Sequence, residues 1–403
     1  MKKIALFGAA VLLLSLTWGT TAHAATVAVH CENGGDLAAA IASAAPGTQI
    51  NVYGTCHGQF AIDKTLTLQG QPATLDGDAS TSAPVLRVDP PSSSATVKVN
   101  NVTIQNGHQW GLFVGCGPTP CGQLKLEHSS VTNNLALSDQ GGGIFNTSTL
   151  TLSYSSVSQN QAGAGGGIGN DGSLTLNHSV VDSNQAVDTS GNGVAGGILN
   201  HGYLAVNNSQ VTNNHTSGTA DGGGIWNSST VNISNSQVSG NHAWEGAGID
   251  NASGSVTIKS STVGDNVASS NRGGGIINYA NLSLNSSNLT GNSAGQGGGL
   301  YNTSGGTTTF SSSQVLHNAA YDGAGIFTDS GSITTTSTAF SNNNASDKGG
   351  GIFMSGGNVT LNGSKVTTNS AVVAGGGIYK TGGSLTLNNT TVSGNTPDDC
   401  NGC

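Results

Sequence analysis

Residues 222–227 read Gly-Gly-Gly-Ile-Trp-Asn, and the phrase recurs with variation along most of the chain. It returns as GGGIFN from Gly141, GGGIGN from Gly165, GGGLYN from Gly297 and GGGIYK from Gly375. The aliphatic residue after the glycines anchors a register: Ile144, Ile168, Ile198, Ile225, Ile249, Ile276, Leu300, Ile326, Ile352 and Ile378. Successive anchors lie 24 to 30 residues apart. A repeat of that size marks a solenoid, in which each unit buries its apolar face against its neighbours.

Each repeat contains two further apolar signals. One is a short alternating segment such as Leu150-Thr151-Leu152, Leu174-Thr175-Leu176 or Leu385-Thr386-Leu387. The other is a V-x-x-N segment, as in Val157 to Asn160, Val238 to Asn241 and Val263 to Asn266. Alternation of apolar and polar residues is the period of a half-buried strand. Three short strands and three turns in about 25 residues describe one coil of a parallel β-helix. No helical segment separates the strands, which excludes βαβ units. An asparagine column follows the anchors by two positions, from Asn146 through Asn170, Asn200, Asn227, Asn251 and Asn278 to Asn302. The V-x-x-N asparagines form a second column. Both are expected to stack as hydrogen-bonded ladders at about 4.8 Å per coil.

GG(A/G)I followed by a hydrophobic-x-x-Asn segment resembles the repeats of polymorphic outer membrane proteins. More broadly, the chain is similar to the pectin-lyase-like superfamily over about residues 60–396. The resemblance implies an all-β fold: a single-stranded right-handed parallel β-helix of roughly 14 coils, three short strands per coil. It also implies an adhesive role, although the β-barrel of that protein group has no counterpart before Cys403. The superfamily's lyases use acidic calcium ligands and an arginine base, and its hydrolases use paired aspartates within strands. Neither set is matched here.

The ends are read separately. Lys2 and Lys3, the apolar run Ile4 to Leu16 and Ala22-His23-Ala24 have the layout of a secretory signal, residues 1–24. Residues 25–60 are expected to form an N-terminal cap, with Asp36 starting a short helix from Leu37. The β-helix is placed at 61–396, followed by a cysteine-containing tail at 397–403. Six cysteines, Cys31, Cys56, Cys116, Cys121, Cys400 and Cys403, suit disulfides between nearest neighbours in an exported protein. No later run is long and apolar enough to span a membrane, so no transmembrane anchor is expected. The predicted destination is extracellular, cell-surface or periplasmic.

Charge is scarce, at 8% of residues, and the formal net charge is −9. An acidic chain with two arginines and no basic run is a poor nucleic-acid binder. Scarcity makes clusters informative. Four residues before successive anchors stand Asp221, Glu245 and Arg272; Trp244 precedes Glu245. One residue after the anchors stand Trp226 and Asp250. In register, Asp221 and Glu245 lie about 5 Å apart, the separation of a retaining glycosidase's carboxyl pair. Indoles beside carboxylates suit a sugar, whose apolar face stacks on an aromatic ring. A self-neutralising surface ladder accounts for the same residues. Tyr301, Phe327, Phe353 and Tyr379 form an outward aromatic stripe on consecutive coils, either bracing a sheet face or offering a partner or glycan surface. No cofactor or metal site is expected. Three readings remain: a non-catalytic adhesive or glycan-binding protein, contacting glycans or cell-surface partners; a polysaccharide lyase or glycoside hydrolase using Asp221, Glu245 and Asp250 with Arg272; or a purely structural surface protein.

Overall fold

The anchors stack in register, Ile144 on Ile168, Ile225 on Ile249 and Ile352 on Ile378. In this computed structural model each of the ten anchors is essentially inaccessible to solvent. The structure describes residues 25–78, 83–90, 92–115, 122–187, 194–269 and 271–403. The proposed signal segment and the pair Cys116 and Cys121 lie outside them.

Over the described residues the chain winds as a parallel β-helix of about 14 turns, with strands in three parallel sheets. The anchor strands form a 14-stranded sheet. The Leu-Thr-Leu and Val segments together form the largest sheet, of 26 strands. Its inward residues, such as Leu174, Leu176 and Val181, are fully buried, while the residues between them face outward. A left-handed residue divides each coil's contribution to this sheet into two segments; Tyr154, His178, Asn208 and Ser260 occupy that position. The third sheet has ten strands, some only two residues long, such as Gln185–Ala186. Small inward residues line it, including Ala162, Ala186 and Ala243.

Polar ladders run through the coil without costing buried hydrogen bonds. The Asn266 side-chain oxygen accepts from both the backbone and the side-chain N–H of Asn241, at 3.0 and 2.9 Å. Its amide donates to Val238 O and to Asn292 Oδ1. At the far end Asp399 Oδ1 replaces the next asparagine as acceptor for Asn395. The column from Asn146 to Asn302 is a second ladder, with side-chain links of 2.7 to 3.0 Å. Thr328 and Met354 interrupt it beyond Asn302, as the sequence indicates. A serine ladder goes with these: Ser155 Oγ accepts from Ser129 N–H, and Ser179 Oγ from Ser155 N–H.

The only α-helix among the described residues is Leu37–Ser43, near the N-terminus. Asp36 Oδ1 caps it by accepting from Ala39 N–H at 2.9 Å. Leu37 and Ile41 are buried against the first strands, an arrangement compatible with a cap. Cys31 is bonded to Cys56 and Cys400 to Cys403. No helix among the described residues is long and apolar enough to cross a membrane.

Candidate functional site

The glycine turn before each anchor fixes what lies around it. Its first residue has positive φ: +69° at Gly222, +55° at Gly246 and +62° at Gly273. Only glycine enters that region cheaply. A side chain there would also collide with the residue four positions on: a Cβ on Gly222 would lie 2.8 Å from Trp226 Cβ. The turns stack backbone to backbone, with Gly222 N–H donating to Glu245 O and Gly246 N–H to Arg272 O, each at 3.0 Å. Asp221, Glu245 and Arg272 are therefore brought side by side on successive coils, about 4.8 Å apart in strand spacing.

The column after the anchors runs beneath this row. Trp226 pairs with Asp250, and Asp250 with Ile277. Other coils fill the position with buried apolar residues: Leu199, Ile277, Tyr301 and Phe327. Asp250 interrupts them with a carboxyl group that is 4% exposed, and its Oδ1 has no hydrogen-bond partner. Burial pushes this carboxyl well above the ordinary carboxylate range, and the charges of Asp221 and Glu245 push it further. The Asp221 carboxyl is raised to about 6, first by burial and then by Glu245. Asp221 Oδ1 is likewise buried without a partner.

Glu245 has a different environment. Arg272 Nε lies 3.8 Å from its Oε1, and Tyr279 Oη donates to its Oε2 at 3.4 Å. Burial raises the Tyr279 hydroxyl above its usual range, with Glu245 adding to the effect, so this tyrosine stays a donor. The Arg272 guanidinium also lies 5.2 Å over the Tyr301 ring. Trp226 is half-buried and meets the His201 ring edge-on at 5.4 Å. Trp244, also half-buried, precedes Glu245. The corner thus holds two carboxyls biased toward protonation beside one held by a cation. Tyr279 and His201 both stand three residues after an anchor, as do Ser228 and Ala252; the residue type there changes from coil to coil, so no repeating chemistry marks them and only proximity across coils identifies them.

The aromatic stripe requires a correction. Tyr301, Phe327 and Phe353 are 4%, 5% and 9% exposed, and Tyr379 is half-buried against them. Their rings stack at 5.0, 4.7 and 5.0 Å, forming a small second core with Ile277. The column does face away from the anchors. The positive-φ turns fold the backbone back over it: a Cβ on Gly323 would lie 2.9 Å from Phe327 Cβ. Lys348 lies over the Tyr379 ring at 5.6 Å. The stack is therefore an interior layer that braces the fold instead of standing outward.

His57, Asp76 and Asp78 also converge, their ligand atoms within 4.8 Å of one another. Asp76 already accepts from Asp78 N–H, Gln105 and Asn106. His57 is engaged by Asp78 at 2.6 Å. These bonds account for the cluster as a hydrogen-bonded turn.

Residues 224–397 match the family model of the right-handed β-helix region. The fold is accordingly a right-handed parallel β-helix. Tailspike protein 3 of bacteriophage CBA120 is a structural neighbour at 11% identity, with a TM-score of 0.32. That match covers 93% of this chain and 62% of the tailspike chain, so the protein spans less than two thirds of its neighbour's length. No curated protein matches the sequence.

Proposed function

We propose that this is an exported glycan-binding β-helix protein whose ligand site is the corner formed by Asp221, Glu245, Asp250, Arg272, Trp226, Trp244 and Tyr279. Residues 1–24 would direct export, residues 25–60 would cap the coil, and the ligand would be a glycan at or outside the cell surface. The paired cysteines are compatible with an oxidising compartment. The observation that carries the reading is Asp250. A carboxyl buried without a partner costs about 1–3 kcal/mol, and the same column shows that an apolar residue fits. Such a cost is tolerated at sites that meet a ligand. Trp226 beside it supplies an indole to stack on a sugar ring.

Asp221, raised to about 6 beside the arginine-held Glu245, favours a second reading, hydrolysis of the bound glycan. In that case Asp221 would protonate the leaving oxygen, and Glu245, ion-paired with Arg272, would be the second carboxyl of the pair. One experiment separates the two: a glycan array and a reducing-end assay on the mature chain, beside Asp221→Ala/Glu245→Ala. Binding lost in the variant, without product from the native chain, supports the binding reading. Product formation lost in the variant establishes hydrolysis. Binding that the variant leaves unchanged moves the site elsewhere and refutes both.

A further inference from the structure

The binding corner is unbalanced in a way that specifies its ligand. Asp221 Oδ1 and Asp250 Oδ1 are buried acceptors to which the protein brings no donor. The nearby basic side chain, Arg272, is engaged by Glu245 on one side and the Tyr301 ring on the other. Tyr279 spends its hydroxyl on Glu245. Three carboxyl groups thus stand beside one committed cation, the Asp250 carboxyl keeping its proton in the free protein, and two of their oxygens still lack hydrogen bonds. The glycan-binding reading requires the ligand to fill this deficit.

Three classes of sugar can be weighed against it. A uronic acid would bring a further carboxylate beside Asp221 and Glu245, in a desolvated corner where like charges repel most strongly. A neutral sugar would bring hydroxyl donors and satisfy the oxygens without balancing charge. A sugar carrying an ammonium group would bring both, with up to three N–H donors on one atom. Charge-assisted bonds of this kind are roughly twice as strong as neutral ones. Trp226, in register with Asp250, would hold the ring of the same sugar.

Resting on the glycan-binding reading above, we infer that the site recognises an amino sugar with a free amine, the ammonium lying between Asp221 and Asp250. The carboxyls are not close enough to one another to form a compact metal site; among the described residues that geometry occurs at His57, Asp76 and Asp78.

The test is calorimetric titration of the mature chain at pH 7 and low salt. The probes are glucosamine hexamer, its fully N-acetylated counterpart, cellohexaose and an oligogalacturonate of equal length. Glucosamine hexamer should bind at least about tenfold more tightly than cellohexaose or the acetylated hexamer, and the oligogalacturonate should not bind. Asp221→Asn and Asp250→Asn should each bring glucosamine hexamer down to the neutral level. Asp265→Asn, at an exposed aspartate outside the site, should change nothing. Equal binding of cellohexaose and glucosamine hexamer would overturn the inference while leaving glycan binding intact. Binding of none of the four would overturn both. An equal loss in Asp265→Asn would show mere attraction between an acidic protein and a polycation, and would also overturn it. Amide exchange on each variant distinguishes lost contacts from lost folding.

Discussion

Replacing Asp250 by isoleucine should make the protein more stable while abolishing ligand binding. The side chain sits between Trp226 and Ile277, in a column where Leu199 and Ile277 are fully buried. Its Oδ1 has no partner, a penalty of about 1–3 kcal/mol that the substitution removes. Burying an aliphatic side chain instead adds about 1.5–3 kcal/mol. The new side chain requires local repacking beside Gly246, so a net gain of about 3 kcal/mol is expected. The gain should grow with pH. Asp250 keeps its proton in the folded state because of burial and the charges of Asp221 and Glu245, whereas the unfolded chain releases it near pH 4. The native chain therefore loses stability as pH rises above 4, and Asp250→Ile does not lose that part. In a solenoid the effect is local, so the assay is amide hydrogen exchange in Ile225–Asn227, Ile249–Asn251 and Ile276–Asn278. Exchange at pH 7 should slow by roughly 100-fold, with a smaller effect at pH 4. Equal or faster exchange at pH 7 would refute the claim that this carboxyl is an unsatisfied burden.

Asn266→Ala removes the acceptor of two Asn241 donors and the donor to Val238 O; a loss of about 3 kcal/mol should appear as rapid exchange confined to the adjoining coils. Gly297→Ala places a Cβ 2.4 Å from Leu300 O at a φ of +63°, and should cost at least about 2 kcal/mol by the same readout. Phe327→Ala should cost about 3–4 kcal/mol yet leave glycan affinity unchanged, since the ring is interior; lost affinity with an intact fold would contradict that placement. Asp221, with its carboxyl raised to about 6, favours the folded state below the unfolded value near 4, and that advantage disappears as pH rises through 6. Solvent screening at this half-buried position reduces the change to about 1.5 kcal/mol, and Asp221→Asn should flatten the corresponding part of a stability–pH curve.

Most of the coil is legible because stacking turns a sequence period into a spatial column. The anchors, the Leu-Thr-Leu strands and both asparagine ladders could be placed from spacing alone. The strands of the third sheet are not legible, because segments such as Gln185–Ala186 and His215–Thr216 are too short to alternate and the sheet's inward alanines are weak apolar signals. The bends are hidden in the sequence for a related reason. Tyr154, His178, Asn208 and Ser260 share a left-handed backbone but no side-chain chemistry. The serine one position further on, Ser155, Ser179, Ser209 and Ser261, is the regular feature, and its ladder marks the bend. For the aromatic stripe, spacing located the column and its direction. It could not reveal the backbone of the glycine turn lying over the rings.

The same column logic explains how an unsatisfied acid can persist at position 250. Each coil is stabilised mainly by its two neighbours, so a weakened coil is tolerated where both neighbours are well packed. The flanking anchors Ile225 and Ile276 are fully buried, and the asparagine ladder passes without a break through Asn241, Asn266 and Asn292. Backbone pairing above and below fixes Trp226, Asp250 and Ile277 in register whatever side chain stands between. The scaffold can thus hold a desolvated carboxyl in place without a bond to that carboxyl. A site whose acceptors are oriented by backbone pairing and left without donors is preorganised for a ligand that brings its own. At a fraying terminal coil the same aspartate would turn toward water and lose both its strain and its specificity.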